Sequence, residues 1–490
     1  METDQSVRSV TTLSPAAFAR TIPVNTPSQP QPGKPDKRRW WNLFVILLAP
    51  VISVVDIFIT NVSLPTIQSY YHTSDAKVQL IVAAYLVGYA VFLITGSRLG
   101  DKFGRKKVLI AGLSAFTITS VLCGLAATIG QLIMFRFLQG ISAAFMVPQT
   151  VTLIHLNFPE GNDRHKAFGY YGIAQGMAAI LGQFLGGYFI HAEWIAASWR
   201  LIFLVNLPIG VIAVVLAAIF LKESTQNKQR KLDMKSVILL TLALICLIYP
   251  LTQGREYGWP AWSFAMLLGS LAGIYIFFRH LGNLKDPHKE PLIDLRLFRI
   301  RSFNTGILSV FFYFGLHNAF LFTCAILLQK GYHISPYTAS MLFTSLGWTY
   351  MFSSWWSIRN AGRYGIRMLQ AGSVIMATSF VAQVLLFGAT APSTMAIVVC
   401  FAVFGLGSGL VLPSLLNVSL KDVPASLAGS SSGVYSTIQQ FSSAAGISML
   451  GGLFFSVLSH AGTYHLAYHV SLYFFIAYLG VVFLLLNRIT

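Results

Sequence analysis

Asp56 and Arg136 are the residues of this chain best suited to acid–base work in an apolar setting. Asp56 lies in a run otherwise dominated by Val, Ile, Phe and Thr, and it is the one carboxylate deep inside any long apolar stretch. Placing a charged side chain at membrane depth costs about 3 kcal/mol on insertion scales, so an acid kept there is a candidate functional group. At 1.5 Å of rise per residue, Asp56 lies about 21 Å from the start of its stretch and Arg136 roughly 8 Å below the opposite surface. The two depths agree, which predicts one polar site shared by Asp56 and Arg136, directly or through water. Burial would raise the acid's pKa and the arginine would lower it, leaving a group able to titrate. The alternative is a permanent ion pair that locks two helices together. A lone intramembrane acid favours the proton-carrying reading.

Other candidates are weaker. His155 and His317 fall within apolar stretches, where each could titrate, contact a substrate, or be hydrogen-bonded within a bundle. The run Gly429-Ser-Ser-Ser-Gly433 fits a hydrolase nucleophile elbow in letters only. That elbow needs a strand-to-helix turn, and here small residues open an apolar helix, so close helix packing explains them better. Cys123, Cys246, Cys324 and Cys400 all lie in apolar stretches with no metal-ligand spacing. No phosphate-cradling G-x-x-x-x-G-K-[ST] loop is present, which argues against ATP as an energy source. The expectation is therefore a non-enzyme with no cofactor and no metal.

The elements that must hold these residues are membrane spans. Hydrophobic residues make up 55% of the chain and charged ones 10%, with a mean hydropathy of +0.65; a soluble domain carries about 25% charged residues. About 20 apolar residues cross the roughly 30 Å of hydrocarbon in a bilayer. Stretches of that kind lie near 42–64, 77–98, 108–128, 131–157, 166–190, 199–221 and 236–252. Seven more lie near 261–281, 303–329, 337–358, 367–388, 394–420, 428–458 and 467–487. The net charge of +18 is not gathered in one basic domain, so no nucleic-acid partner is expected.

Instead the charge alternates. Lys37 to Arg39, Asp101 to Lys107, Arg164 to Lys166, Lys222 to Lys235, Arg279 to Arg301, Arg359 to Arg367, Lys421 and Arg488 fall on one side. The other side holds little beyond Lys77, Arg200, Arg255 and Lys330. The positive-inside rule then puts both termini in the cytoplasm, which requires an even number of spans. Residues 1–39, rich in Ser, Thr, Pro and Gln over their first part, read as a disordered cytoplasmic tail rather than a signal peptide or twin-arginine leader. Arg98-Leu-Gly-Asp-Lys-Phe-Gly-Arg-Lys106 aligns without gaps on Arg359-Asn-Ala-Gly-Arg-Tyr-Gly-Ile-Arg367. That internal repeat predicts two six-helix halves, 40–223 and 302–490, separated by two inserted helices within 224–301.

Four segments carry a family resemblance. Ser97-Arg-Leu-Gly-Asp-Lys-Phe-Gly-Arg-Lys-Lys107 is similar to the loop signature of the major facilitator superfamily, and Arg136-Phe-Leu-Gln-Gly-Ile-Ser-Ala-Ala144 to its fourth-helix signature. Val55-Asp-Ile-Phe-Ile-Thr-Asn-Val-Ser-Leu-Pro65 and Trp199-Arg-Leu-Ile-Phe-Leu-Val-Asn-Leu-Pro-Ile-Gly210 resemble first- and sixth-helix patterns of its fourteen-helix drug:proton antiporter branch. The chain departs from the pattern at Ser97 and Gly362, and at Gln183, which takes the proline position of the fifth-helix antiporter motif Gly182-Gln-Phe-Leu-Gly-Gly187.

The resemblance implies an all-α integral membrane fold of two pseudo-symmetric six-helix bundles plus two inserted helices. It implies a cytoplasmic gate at Asp101, Gly104, Arg105 and Lys106 that meets the start of the thirteenth span, and bending of helix five around Gly182, Gln183, Gly186 and Gly187. A cavity between the halves would be lined by Tyr85, Tyr89, Gln149, His155, Gln175, Phe311, Tyr313, His317, Asn318, Asn417, Tyr435 and Gln439, apolar walls with a few polar groups suiting amphipathic compounds. The expected function is proton-coupled efflux of hydrophobic or amphipathic drugs, cations among them, across the plasma membrane. Its partners would be the small-molecule substrate, protons and the lipid bilayer, and the protein would be a monomer. Export of a single metabolite or antibiotic, a proton-driven uptake carrier, and a non-transporting membrane sensor or assembly protein are the alternatives.

Overall fold

The computed structural model describes residues 38–488, apart from 159–161, 193, 195, 196, 225–232, 285–290, 425 and 426. The expected disordered tail falls almost wholly outside the described residues. Long helices run in order as α1 Arg39–Tyr71, α2 Asp75–Phe103, α3 Arg105–Leu125, α4 Ile129–Asn157 and α5 Asn162–Ala192. They continue as α6 Ser198–Phe220, α7 Met234–Gln253 and α8 Ala261–Gly282, and α9 Arg301–Gly331. The last are α10 Pro336–Tyr364, α11 Ile366–Leu386, α12 Thr394–Ser419, α13 Ala428–Ala461 and α14 Tyr464–Leu486. No strand occurs among the described residues.

Thirteen of these helices are long and apolar enough to cross a membrane. The remaining one, α10, has the length at 29 residues but is diluted with Ser, Thr, Trp and Tyr. It can be less apolar because its neighbours are helices: it packs between α5 and α12. Several helices also outrun their predicted spans. At 33 residues, α1 extends about 50 Å, well beyond the hydrocarbon thickness that hydropathy detects.

Helix pairings repeat at an interval of eight helices. The contacts α2–α4, α3–α4 and α3–α6 recur as α10–α12, α11–α12 and α11–α14. The two joints between the first six helices and the last six, α2–α13 and α5–α10, are images of each other under the same shift. Glycine makes the tightest of these crossings possible. A Cβ on Gly140 of α4 would lie 2.0 Å from the Tyr85 carbonyl of α2, and one on Gly405 of α12 would lie 2.3 Å from the Leu346 carbonyl of α10. The α7–α8 pair stands outside this pattern, with α7 packed on both α2 and α13.

The turns after α2, α4, α6, α8, α10 and α12 carry the basic loops, and their side of the bundle is the basic end. At the far end, Gln329 Nε2 of α9 donates to the Val62 carbonyl of α1 (2.8 Å), and Lys330 Nζ donates to Gln68 Oε1 (2.5 Å). His191 of α5 stacks on Tyr337 of α10 with ring centroids 5.3 Å apart. The far end is thus fastened across both sets of helices.

Candidate functional site

Asp56 is 0% exposed, about 25 Å along α1 from Arg39, and its carboxylate is surrounded by donors. Arg136 of α4 donates to Oδ2 in a direct ion pair. Gln139, one turn further along α4, donates from Nε2 to Oδ1 (2.8 Å), and Asn206 of α6 donates from Nδ2 to the same oxygen (3.1 Å). The guanidinium is held as tightly: it donates to Gln139 Oε1 (2.7 Å) and to the Ile81 carbonyl of α2 (3.3 Å), and it lies 4.4 Å from the Tyr85 ring centroid. Asn206 also donates to Ser120 Oγ of α3 at 3.0 Å. Five helices therefore meet at one charge-neutral polar knot.

Local sequence explains how α6 reaches it. Pro208 has no N–H to give the Leu204 carbonyl, so the hydrogen-bond ladder of α6 has a break next to Val205, where the backbone itself stays helical. Gly210 lets the resumed helix press on α3, where a Cβ would lie 2.0 Å from Thr117 Oγ1. On the far side of the break, Trp199 is buried and Arg200 donates to the Gly124 carbonyl at 2.6 Å.

A second polar cluster closes the turn from α2 to α3. Gly104, the single residue between the helices, has φ +103°, a conformation glycine tolerates without strain. Arg105 pairs with Asp101 and donates to the Ser97 carbonyl and to Gln149 Oε1 of α4, both at 2.9 Å. Glu223, beyond the end of α6, covers the α3 amino terminus: it accepts from the backbone N–H of Lys106 (3.1 Å) and of Lys107 (3.2 Å). Ser224 Oγ accepts from the Arg105 N–H at 3.0 Å, and Lys106 Nζ donates to the Ala218 carbonyl at 2.7 Å. An acid at a helix amino terminus is stabilised by the helix dipole.

The major facilitator superfamily model matches residues 46–447. The chain is 35% identical over 434 residues to the probable actinorhodin transporter of Streptomyces coelicolor, covering 88% of this chain and 75% of that protein. The chain belongs to the major facilitator superfamily. It is also 29% identical to multidrug resistance protein Stp of Mycobacterium tuberculosis, over 85% of this chain and 75% of the relative. In fold it matches a bacterial homologue of the human lysosomal transporter Spinster, solved inward-facing and occupied, with a TM-score of 0.67, 15% identity and coverage of 93% and 97% of the two chains. A multi-pass membrane transporter fold of this superfamily accounts for the whole helical framework.

Within that framework the remaining candidates separate. Gln149 belongs to the Arg105 cluster, also donating to the Gly96 carbonyl at 2.8 Å, so it stands apart from the predicted cavity set. Tyr85 is committed to the Asp56 knot: its hydroxyl shares a 2.8 Å hydrogen bond with Ser53. Gly182 and Gly186 of α5 lie against the Val55 and Ile59 backbone of α1, Gly187 against Ser340 of α10, and Gln183 is buried. His155 is half-buried beside Phe168, ring centroids 4.9 Å apart. His317 is sandwiched between Tyr313 and Phe404 at 5.7 and 5.6 Å. Asn318 donates to Ser443 Oγ at 2.8 Å, and Ser443 in turn donates to the Gln439 carbonyl at 2.9 Å. Tyr89 and Tyr435 are buried, Gln175 and Phe311 half-buried and Asn417 exposed.

The sequence reasoning missed Gln139, Asn206 and Glu223. Gln139 follows Arg136 by three residues and so shares its helix face, a spacing that could have found it. Asn206 sits inside the recognised sixth-helix segment. Glu223 had no such signal.

Proposed function

We propose that this protein exports hydrophobic or amphipathic organic compounds in exchange for protons by alternating access. The observation that carries the reading is the buried Asp56–Arg136 pair, an ionisable site at membrane depth in a superfamily member whose relatives are named for antibiotic transport and multidrug resistance. The basic end faces the cytoplasm under the positive-inside rule, with both termini there. Halves 40–223 and 302–490 then rock about the α2–α13 and α5–α10 joints, which their eight-helix symmetry supports.

In the exchange, opening of the far end parts Arg136 from Asp56 and lets a proton reach the acid. Closure returns the guanidinium, which displaces the proton toward the cytoplasm while substrate loads. Gln139 and Asn206 hold the carboxylate in register for that return. The Asp101–Arg105 turn, braced by Glu223, stabilises the state closed at the basic end.

Reconstituted protein tests this directly. With an inward-directed proton gradient across the transporter's far-to-basic axis, lipophilic drugs should move from the basic side to the far side, and nigericin should abolish the movement. Flux that ignores the gradient would reject proton exchange. A dedicated exporter is the second reading, supported by the single antibiotic in the name of the 35%-identical relative; one transported compound in a broad drug panel would favour it.

A further inference from the structure

The charge inventory between the two sets of helices narrows the substrate. Among the described residues, Asp56 alone of the carboxylates lies away from a helix end or loop, and it is fully committed to Arg136, Gln139 and Asn206. No acid at that depth is left to neutralise a cationic ligand. A cationic ligand there would meet aromatic walls, which attract an ammonium group, but no carboxylate to pair with, and burying an unpaired charge is costly.

What does lie between the two sets is aromatic and hydroxylated. Tyr350 of α10 is within electrostatic reach of Tyr171 of α5, Tyr313 of α9 and Tyr435 of α13, and Tyr171 is within reach of Tyr89 of α2. These tyrosines come from both members of both joints, α2–α13 and α5–α10, plus α9. Tyr171 and Tyr350 keep partial exposure while Tyr89, Tyr313 and Tyr435 are buried, so the cluster borders accessible space. Tyr350 reaches α5 closely: a Cβ on Gly176 would stand 3.7 Å from its Cε1.

At the edge of this cluster, His317 is 7% exposed and stacked at 25° to Tyr313 and 28° to Phe404. Its Nδ1 is buried without a hydrogen-bond partner, which is costly unless a ligand supplies one. Stacked rings favour a planar aromatic guest. Phenolic hydroxyls and an imidazole N–H donate to carbonyl, phenolate or carboxylate oxygens. The lysines and arginines of the basic end raise the local concentration of anions at that mouth and lower that of cations.

We propose that the site bounded by Tyr171, Tyr350, Tyr435, Tyr313 and His317 takes planar aromatic compounds that are uncharged or acidic, and discriminates against permanent cations. The inference rests on the exporter reading and departs from the cationic drugs included in the expectation from the sequence. His317 supplies the polar contact through Nδ1, while Tyr350 closes the opposite wall.

The test uses full-length protein in nanodiscs and three probes on one ring system: anthracene-9-methanol, anthracene-9-carboxylate and anthracen-9-ylmethyl-trimethylammonium. The alcohol and carboxylate should bind at least about tenfold more tightly than the ammonium compound. His317→Phe, which keeps the stack but removes Nδ1, should weaken the carboxylate by about tenfold, and Tyr350→Phe should weaken it less. Equal or tighter binding of the ammonium compound overturns the proposal. So does an unchanged carboxylate affinity in His317→Phe, or no binding by any probe. Gradient-driven flux of a mixed drug panel, measured in liposomes from the same preparation, separately decides whether the exporter reading itself survives.

Discussion

Removing both members of the Asp56–Arg136 pair should cost clearly less than the sum of removing each alone. Arg136→Met leaves a carboxylate that is 0% exposed with only two amide donors, at 2.8 and 3.1 Å. Stranding one charge of a buried pair costs about 3–5 kcal/mol. Asp56→Leu strands the guanidinium instead, although Gln139 Oε1 at 2.7 Å and the Ile81 carbonyl at 3.3 Å still accept from it. Its cost belongs at the lower end of the same range. The double variant Asp56→Leu/Arg136→Met leaves no charge; it orphans the amides of Gln139 and Asn206, at about 1–3 kcal/mol each. The two singles together therefore exceed the double by about 2–3 kcal/mol, an interaction energy expected of residues in one network. SDS-induced unfolding in mixed micelles, followed by tryptophan fluorescence, measures all three. Additivity within about 0.5 kcal/mol would refute the claim that the two charges are energetically one unit.

Three other outcomes follow from single contacts. Gly104→Ala should destabilise the protein by about 1–3 kcal/mol in the same assay, because the residue has φ +103° and its Cβ would meet the Glu223 carboxylate at 2.4 Å; the companion Glu223→Gln should retain the fold and lower transport. Gly140→Leu should abolish recovery of folded protein on size exclusion, since no side chain fits against the Tyr85 carbonyl. Asp233 caps α7, accepting from Ser236 Oγ at 2.5 Å and contacting His280 Nε2 of α8 at 3.1 Å. Burial raises its pKa, but the bonds from Ser236 and His280 outweigh that and hold it below the usual carboxylate value. A depressed acid contributes stability above its unfolded pKa and loses it as pH falls through the folded one. Asp233→Asn should therefore cost about 1–2 kcal/mol near neutrality, with the gap to wild type closing below about pH 4.

Much of this arrangement is legible in the sequence. Asp56 and Arg136 stand out because charge at membrane depth is rare, and a fixed rise per residue set them level. The α10 span reads as one of the apolar stretches, at 337–358, and the alternation of basic loops supports it by requiring an even number of spans; its Ser, Thr, Trp and Tyr content leaves it short of the apolarity of the other thirteen. Several helices run past the predicted spans because hydropathy reports the hydrocarbon and not the length of the hydrogen-bonded helix. Gln139 and Asn206 escaped notice because amides carry no charge to make them conspicuous among other polar residues. Gln149 was grouped with the cavity, yet the side-chain direction that takes it to Arg105 depends on how α4 turns against α2. Glu223 lies in a charged linker where nothing in the residue order distinguishes it from a solvated acid.

The central claim is that Asp56 carries the proton, and a comparison of two transport modes on one variant tests it most directly. Asp56→Asn should be reconstituted and assayed both for gradient-driven export and for substrate counterflow, which needs no net proton movement. The account predicts that gradient-driven export and the accompanying proton flux vanish while counterflow of the same compound continues. Full gradient-driven export by Asp56→Asn would contradict it, and loss of both modes in correctly folded protein would make the Asp56–Arg136 pair a structural lock.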